Sequence, residues 1–470
     1  MSQLPKDWQS TTSGEMCEYI TSGSRDWKSY YSERGPLFVR TQDINQDCLN
    51  LSNVAHVDLP ANVEGKRSRI QPGDLLVTIT GANVGKVALV PDEIPEAYVS
   101  QSVGLMRLKD RRNGPYLHYY LQSDKTGRKQ LLNLVYGIGR PVLSLQNLRD
   151  IPVSLPPLPE QRQIVAEIEK QFTRLEVGVN ALRRAQANLK RYRAAVLKAA
   201  CEGQLVPTEA ELNQSAGQGH KGFESGEQLL KRILVARRQN WTGPGKYKEP
   251  KQPDTANLAP LPPSWTWVSW EMVLASADGA FKRGPFGSAL TKSFFVEKGF
   301  KVYEQYCPIN DDCSFGRYYI TPEKFEELKA FEVKAGDYLI SCSGVTLGRI
   351  TRVPEQYERG VINQALLRVR LDEKIINHRY FLHLFRSAFF QKAIFENSTG
   401  SAIPNVKGVK ELKAMAIPLP SLAEQTRIVA EVERRLSVLE ELESMVTANL
   451  QRATRLRQSI LQKAFSGELL

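Results

Sequence analysis

The chain has 470 residues, enough for two or three domains with substantial cores, and a formal net charge of +12. That basic balance points to a polyanionic partner. The absence of any run approaching about 18 apolar residues argues against a membrane span. Met1–Trp8 also lacks the apolar core of a signal peptide, so a cytoplasmic location is expected. Six cysteines, at 17, 48, 201, 307, 313 and 342, make no Cys-x-x-Cys pair and have no paired histidines beside them, as expected of a reduced protein without a structural zinc site.

The first 154 residues mix short strands, turns and a late helix. Asp74–Ile79 is strand-like and is entered through a Gly-Asp turn. Gly81-Ala82-Asn83-Val84-Gly85-Lys86 then invites a phosphate-loop reading. It fails, because the spacing is one residue short and no Ser or Thr follows the lysine to hold magnesium. Two readings remain: a tight turn between strands, or a turn that presents backbone amides and the cation of Lys86 to a DNA phosphate. Tyr116–Gln122 reads as a helix, and Tyr136–Pro141 as a Gly/Pro loop whose Arg140 could meet a phosphate or a guanine edge.

Residues 155–206 read as one long helix. Leu155-Pro156-Pro157-Leu158-Pro159 leads in, no proline occurs from Glu160 to Glu202, and Gly203 falls where a C′ glycine belongs. Ile168, Phe172, Leu175, Val179 and Leu182 recur in steps of four and three, with Leu189 and Val196 resuming the pattern, which is a coiled-coil seam. Residues 207–260 form a linker. It opens with polar, Gly-rich sequence, holds an amphipathic helix over 224–240 with Leu229, Leu230, Ile233 and Leu234 on one face, and ends in a Gly/Pro/Lys-rich crossover from Thr242 to Pro260.

From residue 261 the chain repeats itself. Leu261-Pro262-Pro263-Ser264-Trp265 follows Leu4–Trp8 at an offset of 257; Ala335–Ile340 follows Pro72–Val77 and Ser343–Arg349 follows Thr80–Lys86, both at 263. Asn363-Gln364 follows Ser100-Gln101, and Gly400 and Pro404 follow Gly137 and Pro141. The second domain thus spans 261–418, with Tyr380–Phe395 expected as its helix. Residues 419–470 repeat the long helix without a gap at an offset of 264, and Leu155–Glu176 and Leu419–Glu440 are identical at 12 of 22 positions. Val432, Leu436, Leu439, Val446, Leu450 and Ile460 form the second seam, so each helix, about 66 Å long at about 1.5 Å per residue, is the natural partner of the other. A whole-module duplication accounts for this. Between the matching islands the halves diverge.

Candidate DNA contacts are Asn83, Lys86 and Arg140 in the first half, and Lys282, Arg283, Thr346, Arg349, Ser401 and Asn405 in the second. Catalytic groupings are missing. There is no Asn-Pro-Pro-Tyr or Asp-Pro-Pro-Tyr for a flipped amino base, no Gly-x-Gly-x-x-Gly, no His-Glu-x-x-His and no Gly-x-Ser-x-Gly. His378 and His383, five apart, are expected to be surface or packing residues. The residues describe a binder rather than an enzyme, with no metal of its own.

The order of domain, Leu-Pro-Pro-Leu-x-Glu-Gln helix, linker, second domain and second helix resembles the specificity subunit of type I restriction–modification systems over the whole chain. Leu155–Val206, Leu419–Leu470 and the linker helix Ser225–Leu234 carry the likeness most specifically. It implies an α+β chain: two related α/β target recognition domains separated by a long antiparallel two-helix coiled coil, with an internal pseudo-two-fold repeat. Each domain would read one half of a bipartite, asymmetric site in double-stranded DNA. The helices would serve as a ruler and as the dock for two modification subunits, which bind S-adenosylmethionine and methylate adenine. Restriction subunits, with their ATP and magnesium, would join afterwards. This chain would bind no cofactor. A fused methyltransferase–specificity protein and a coiled-coil scaffold without DNA binding are the alternatives from other classes.

Overall fold

The computed structural model describes residues 7–470 apart from 24, 26, 61–64, 138, 216–223, 240–245, 277–278, 345 and 396–405. It divides into two units, Met1–Ala185 with Met445–Leu470, and Gln186–Ser444. Both long helices, Leu158–Cys201 and Leu422–Ser466, contribute to each unit.

In the first unit a four-stranded antiparallel sheet runs in the order Cys17–Ser22, Val103–Leu108, Leu75–Thr78, Val87–Leu89. A second sheet sets Tyr31–Val39 between Ala55–Val57 and a parallel Ala97–Val99. Gln9–Thr12 pairs with Pro152–Leu155, which ties the start of the domain to the lead-in of the helix. The second unit repeats the plan: Phe281–Arg283, Leu366–Val369, Tyr338–Ser341 and Ile350–Arg352 form one sheet, and Thr266–Ser269 pairs with Ala416–Leu419. Its second sheet adds a strand, in the order Tyr319–Ile320, Phe300–Tyr303, Gly360–Ile362, Glu332–Val333.

Successive side chains of a strand face opposite ways, and here both ways lead into a core. Leu75 and Val77 join the cluster that includes Trp8, Tyr116, Leu148 and Ile164, whereas Leu76 joins Leu37, Val39, Ala88 and Leu105 on the other side. Tyr338 and Ile340 are likewise separated from Leu339 in the second unit. The strands therefore read as unbroken apolar runs. At their entrance Gly73 and Gly336 turn the chain with φ of +85° and +79°. The following Asp74 and Asp337 take bidentate hydrogen bonds from Arg107 and Arg370, the shortest 2.7 Å in each case.

The long helices pair antiparallel within each unit. In the first, Ile164, Ile168 and Phe172 share a core with Ile460, Leu461, Ala464 and Phe465. In the second, Val196, Leu197, Ala200 and Cys201 meet Ile428, Val429 and Val432. Phe172, Leu439 and Val446 are also buried, and Leu175, Val179, Leu182, Leu189, Leu436 and Leu450 are half-buried. The first helix begins two residues before Glu160, with Pro159 inside its first turn, where no intrahelical N–H is needed. Gly203 and Gly467 close the helices at φ of +68° and +80°. The amides of Gln204 and Glu468 reach back to the carbonyls of Ala199 and Lys463 at 2.9 and 3.0 Å, the hydrogen bond that defines a left-handed helix stop.

Two expectations change. Tyr380–Phe395 is not one helix but two, His378–Arg386 and Ala388–Phe395. Ser387 between them is extended at ψ 151°, and its hydroxyl bonds Leu384 O and accepts from the Phe390 amide, an alternative to helical pairing. In the linker, the amphipathic helix spans Gly226–Gln239, with Leu229, Leu230 and Ile233 in the second unit's core. The polar stretch before it holds a further helix, Glu209–Ser215. Thr208 and Glu211 exchange side-chain and backbone hydrogen bonds at its start, a capping box.

Candidate nucleic-acid interface

In the first unit the Gly81–Lys86 loop is the hairpin between Leu75–Thr78 and Val87–Leu89. The amides of Val84, Gly85 and Lys86 bond within it, to Gly81 O, Thr78 O and Asn83 O, and the Gly81 amide bonds Pro141 O at 2.9 Å. Four of the loop's amides are thus taken by the protein's own carbonyls. What the loop offers outwards is side chains: half-buried Lys86, and Asn83, whose Nδ2 lies 3.4 Å from Thr41 O. The bond to Pro141 brings in the second candidate loop. Tyr136 and Val142 close it with reciprocal backbone hydrogen bonds of 3.0 and 2.8 Å, Gly137 and Gly139 take the positive φ the reversal needs, and Arg140 and Tyr136 are left exposed. Asn83, Lys86 and Arg140 therefore belong to two touching loops.

In the second unit Lys282 and Arg283 sit on an edge strand, with the Lys282 ammonium 5.1 Å from the Phe331 ring centre and the Arg283 guanidinium 5.6 Å from that of Phe286. Arg349 is exposed and Thr346 half-buried on the hairpin matching Gly81–Lys86. Ser398–Asn405, with Ser401 and Asn405, lies outside the described residues.

A cleft of 620 Å³ opens in the second unit, lined among others by Arg193, Arg349, Arg386, His383, Glu433 and Leu436. Burial holds the His383 imidazole down at about 4, with Arg386 and Arg379 adding to the shift against Glu433, and its Nε2 has no hydrogen-bond partner. The ring is neutral at physiological pH. Arg193 is held at the cleft by Glu443, 3.1 Å away. Among the described residues no group of three His, Cys, Asp or Glu side chains could hold a metal ion, and no helix is long and apolar enough to cross a membrane.

Each domain is locked to its helix by side chains from the Glu-Gln pair. Trp8 donates its indole N–H to Glu160 at 2.9 Å, and Trp265 to Glu424 at 2.7 Å. Gln161 and Gln425 turn back to the carbonyls of Pro156 and Pro420, at 2.8 and 3.0 Å. Tyr116 and Tyr380 reach Ser154 O and Pro418 O. These contacts give the repeated motif a physical role that its residue types alone do not reveal: it is a clamp.

The repeated frame and its divergent loops find their match among known proteins. Residues 5–182 and 289–450 match the family described as the type I restriction modification DNA specificity domain. The chain belongs to this family. Among relatives, the type I restriction enzyme EcoBI specificity subunit of Escherichia coli is 27% identical over 330 residues, 70% of this chain and 60% of that protein. The StySPI specificity subunit of Salmonella potsdam is 21% identical over 475 residues, 99% of this chain and 90% of that one. A solved chain described as "Structural basis underlying complex assembly and conformational transition of the type I R-M system" superposes with a TM-score of 0.67 at 20% identity, covering both chains in full. That likeness shows a shared fold.

Proposed function

We propose that this chain is the non-catalytic DNA-recognition subunit of a type I restriction–modification complex, each unit reading one half of a bipartite, asymmetric site. One observation carries the reading: the two units share the order of the first sheet, the clamp and the helix stops, while their cations differ, with Lys282 and Arg283 standing on the edge strand where the first unit has Thr21 and Ser22, and Arg349 replacing Lys86 on the repeated hairpin. A common frame with different cations suits two different half-sequences on one polyanion. The names of the relatives support the assignment to type I systems. Two modification subunits, and restriction subunits through them, are the partners. S-adenosylmethionine, ATP and magnesium belong to those partners, and the complex works in the cytoplasm on duplex DNA. Exposed helix positions such as Arg183 and Arg191 suit the dock, since the seam positions are taken within the chain.

The test is to exchange residues 10–150 for the same segment of a relative, co-express with modification subunits and map N6-methyladenine across the host genome. One half-site should change while the other stays. A change in both halves together refutes the two-module reading. Stoichiometric S-adenosylmethionine binding by the purified chain alone, measured by calorimetry, refutes the non-catalytic assignment.

A further inference from the structure

The edge strand Phe281–Arg283 leads into a short loop built unlike its counterpart in the other unit. Gly284 has no room for a side chain, since a Cβ there would lie 1.9 Å from Asn363 O, and its amide bonds Leu366 O at 2.9 Å. Gly23 makes the same hinge in the first unit: its amide bonds Val103 O, the equivalent carbonyl at an offset of 263, and a Cβ would lie 1.8 Å from Val99 O. Beyond that hinge the two loops part. In the first unit the next aromatic, Trp27, turns inward and is 5% exposed, packed between Phe38 and Tyr98. In the second, Phe286 turns outward and is 66% exposed.

A single exposed ring on a protein surface is ordinary. Phe286 differs in its mounting. Pro285 before it is buried, and Gly287 after it takes φ +63°, so the ring stands on a short, pinned turn. The Arg283 guanidinium lies 5.6 Å from the ring centre, with Lys282 adjacent in sequence and Lys292 further along the loop. Next to Gly287 a cleft of 320 Å³ is walled by Phe295 and Tyr318, stacked with ring centres 4.3 Å apart, and is edged by the amides of Asn363 and Gln364. An apolar ring on a stiff stem, with a guanidinium beside it and amides that suit base edges nearby, has the features of a side chain that enters a base stack. Phosphate contacts position such a loop, and an apolar wedge pushed between base pairs partly unstacks them.

We infer that Phe286 is a wedge that inserts at one base step of the half-site read by the second unit, with Arg283 on a flanking phosphate. This rests on the DNA-recognition reading above. It adds a specificity device that the first unit, with Trp27 turned inward, does not mirror at this loop: the ease of unstacking the step is read as energy.

The test uses the chain assembled with its modification subunits and the duplex identified by methylation mapping, with 2-aminopurine placed in turn at each adenine of both half-sites. Apart from the adenines that the modification subunits flip and methylate, binding of the unaltered complex should raise 2-aminopurine fluorescence at one step of one half-site. Phe286→Ala should abolish that rise and weaken specific binding roughly 5- to 150-fold, the range for removing an aromatic stacked on a base. Phe286→Trp should keep both. The slope of log affinity against log salt should stay unchanged in Phe286→Ala and fall by about 1 in Arg283→Gln, because only the latter removes a phosphate contact. Unchanged affinity and unchanged fluorescence in Phe286→Ala overturn the wedge. So does a Phe286→Ala chain that no longer assembles with modification subunits, which would make the ring a protein contact. If the unaltered complex shows no sequence-dependent binding to any duplex, the DNA-recognition reading itself falls.

Discussion

The same junction between domain and helices is filled in one unit and open in the other. In the first, Tyr119 and Phe172 pack edge to face with ring centres 5.7 Å apart, and the Arg457 guanidinium lies 3.9 Å over the Phe172 ring. The corresponding residues of the second unit, at an offset of 264, are His383, Leu436 and Arg193. There Arg193 pairs with Glu443 rather than stacking, and the 620 Å³ cleft lies where the aromatic pair would stand. Yet the Trp–Glu contact, the Gln–carbonyl bond, the Tyr–strand bond and the Asp–Arg pair recur in both. What survived duplication is the set of directional contacts that fix one element's angle to another. Volume-filling was free to drift, since a gap can relax or admit water and an orphaned buried charge cannot.

The largest expected effect tests the directional contacts. Asp337→Ala leaves Arg370 and the fully buried Arg368 without their carboxylate, and should cost about 3–5 kcal/mol in urea unfolding followed by tryptophan fluorescence. Asp74→Ala orphans only Arg107, since Leu105 stands where Arg368 does, and should destabilise the first unit by less. If one half tolerates the change and the other does not, the Asp–Arg pair is not the shared frame element described above.

A middle-sized effect separates the halves by pH. His383 has an ordinary value of 6.5 and sits at about 4 when folded, so between those values the folded chain binds fewer protons than the unfolded one. Stability from this group is therefore complete above about pH 6.5 and declines as the pH falls towards 4, by up to about 3 kcal/mol. His383→Tyr, which installs the residue of the first unit, should flatten that decline. An equal acid loss in the variant would place its origin elsewhere.

The smallest effect is the filling itself. Leu436→Phe should let Arg193 stack as Arg457 does and should raise the melting temperature slightly, by less than about 1 kcal/mol in stability. A loss of more than that would mean the cleft walls cannot admit the ring.

The long helices were legible because every cue agreed: an ungapped repeat, no interior proline, a four-three seam, and glycines at 203 and 467 that adopt the left-handed stop. The hydrophobic runs at Leu75–Thr78 and Tyr338–Ser341 were legible as strands for the same local reasons. Contacts such as Trp8 with Glu160 were not, since 152 residues separate the partners and neither type announces the other. The break at Ser387 escaped because its apolar flanks, Phe385 and Phe389, continue a helical rhythm that a single serine side chain interrupts. Thr208-x-x-Glu211 could have been read as a helix start. Phe286 lay one residue past Lys282–Pro285, and only its burial state and that of Trp27 set it apart.

The alternation of Leu75, Leu76 and Val77 between two cores has a further consequence. One core binds the strands to the clamp and the helices; the other is built largely by the second sheet, whose sequence differs between the halves. The molecule is thus a chassis carrying exchangeable cartridges, joined through the inward and outward faces of a few shared strands. Substitutions within a cartridge are insulated from the chassis by the sheet between them. On the proposed function, a lineage can then retarget one half-site by recombination or by gradual drift without disturbing the clamp and the helices, and an engineer can cut and join at the same strands.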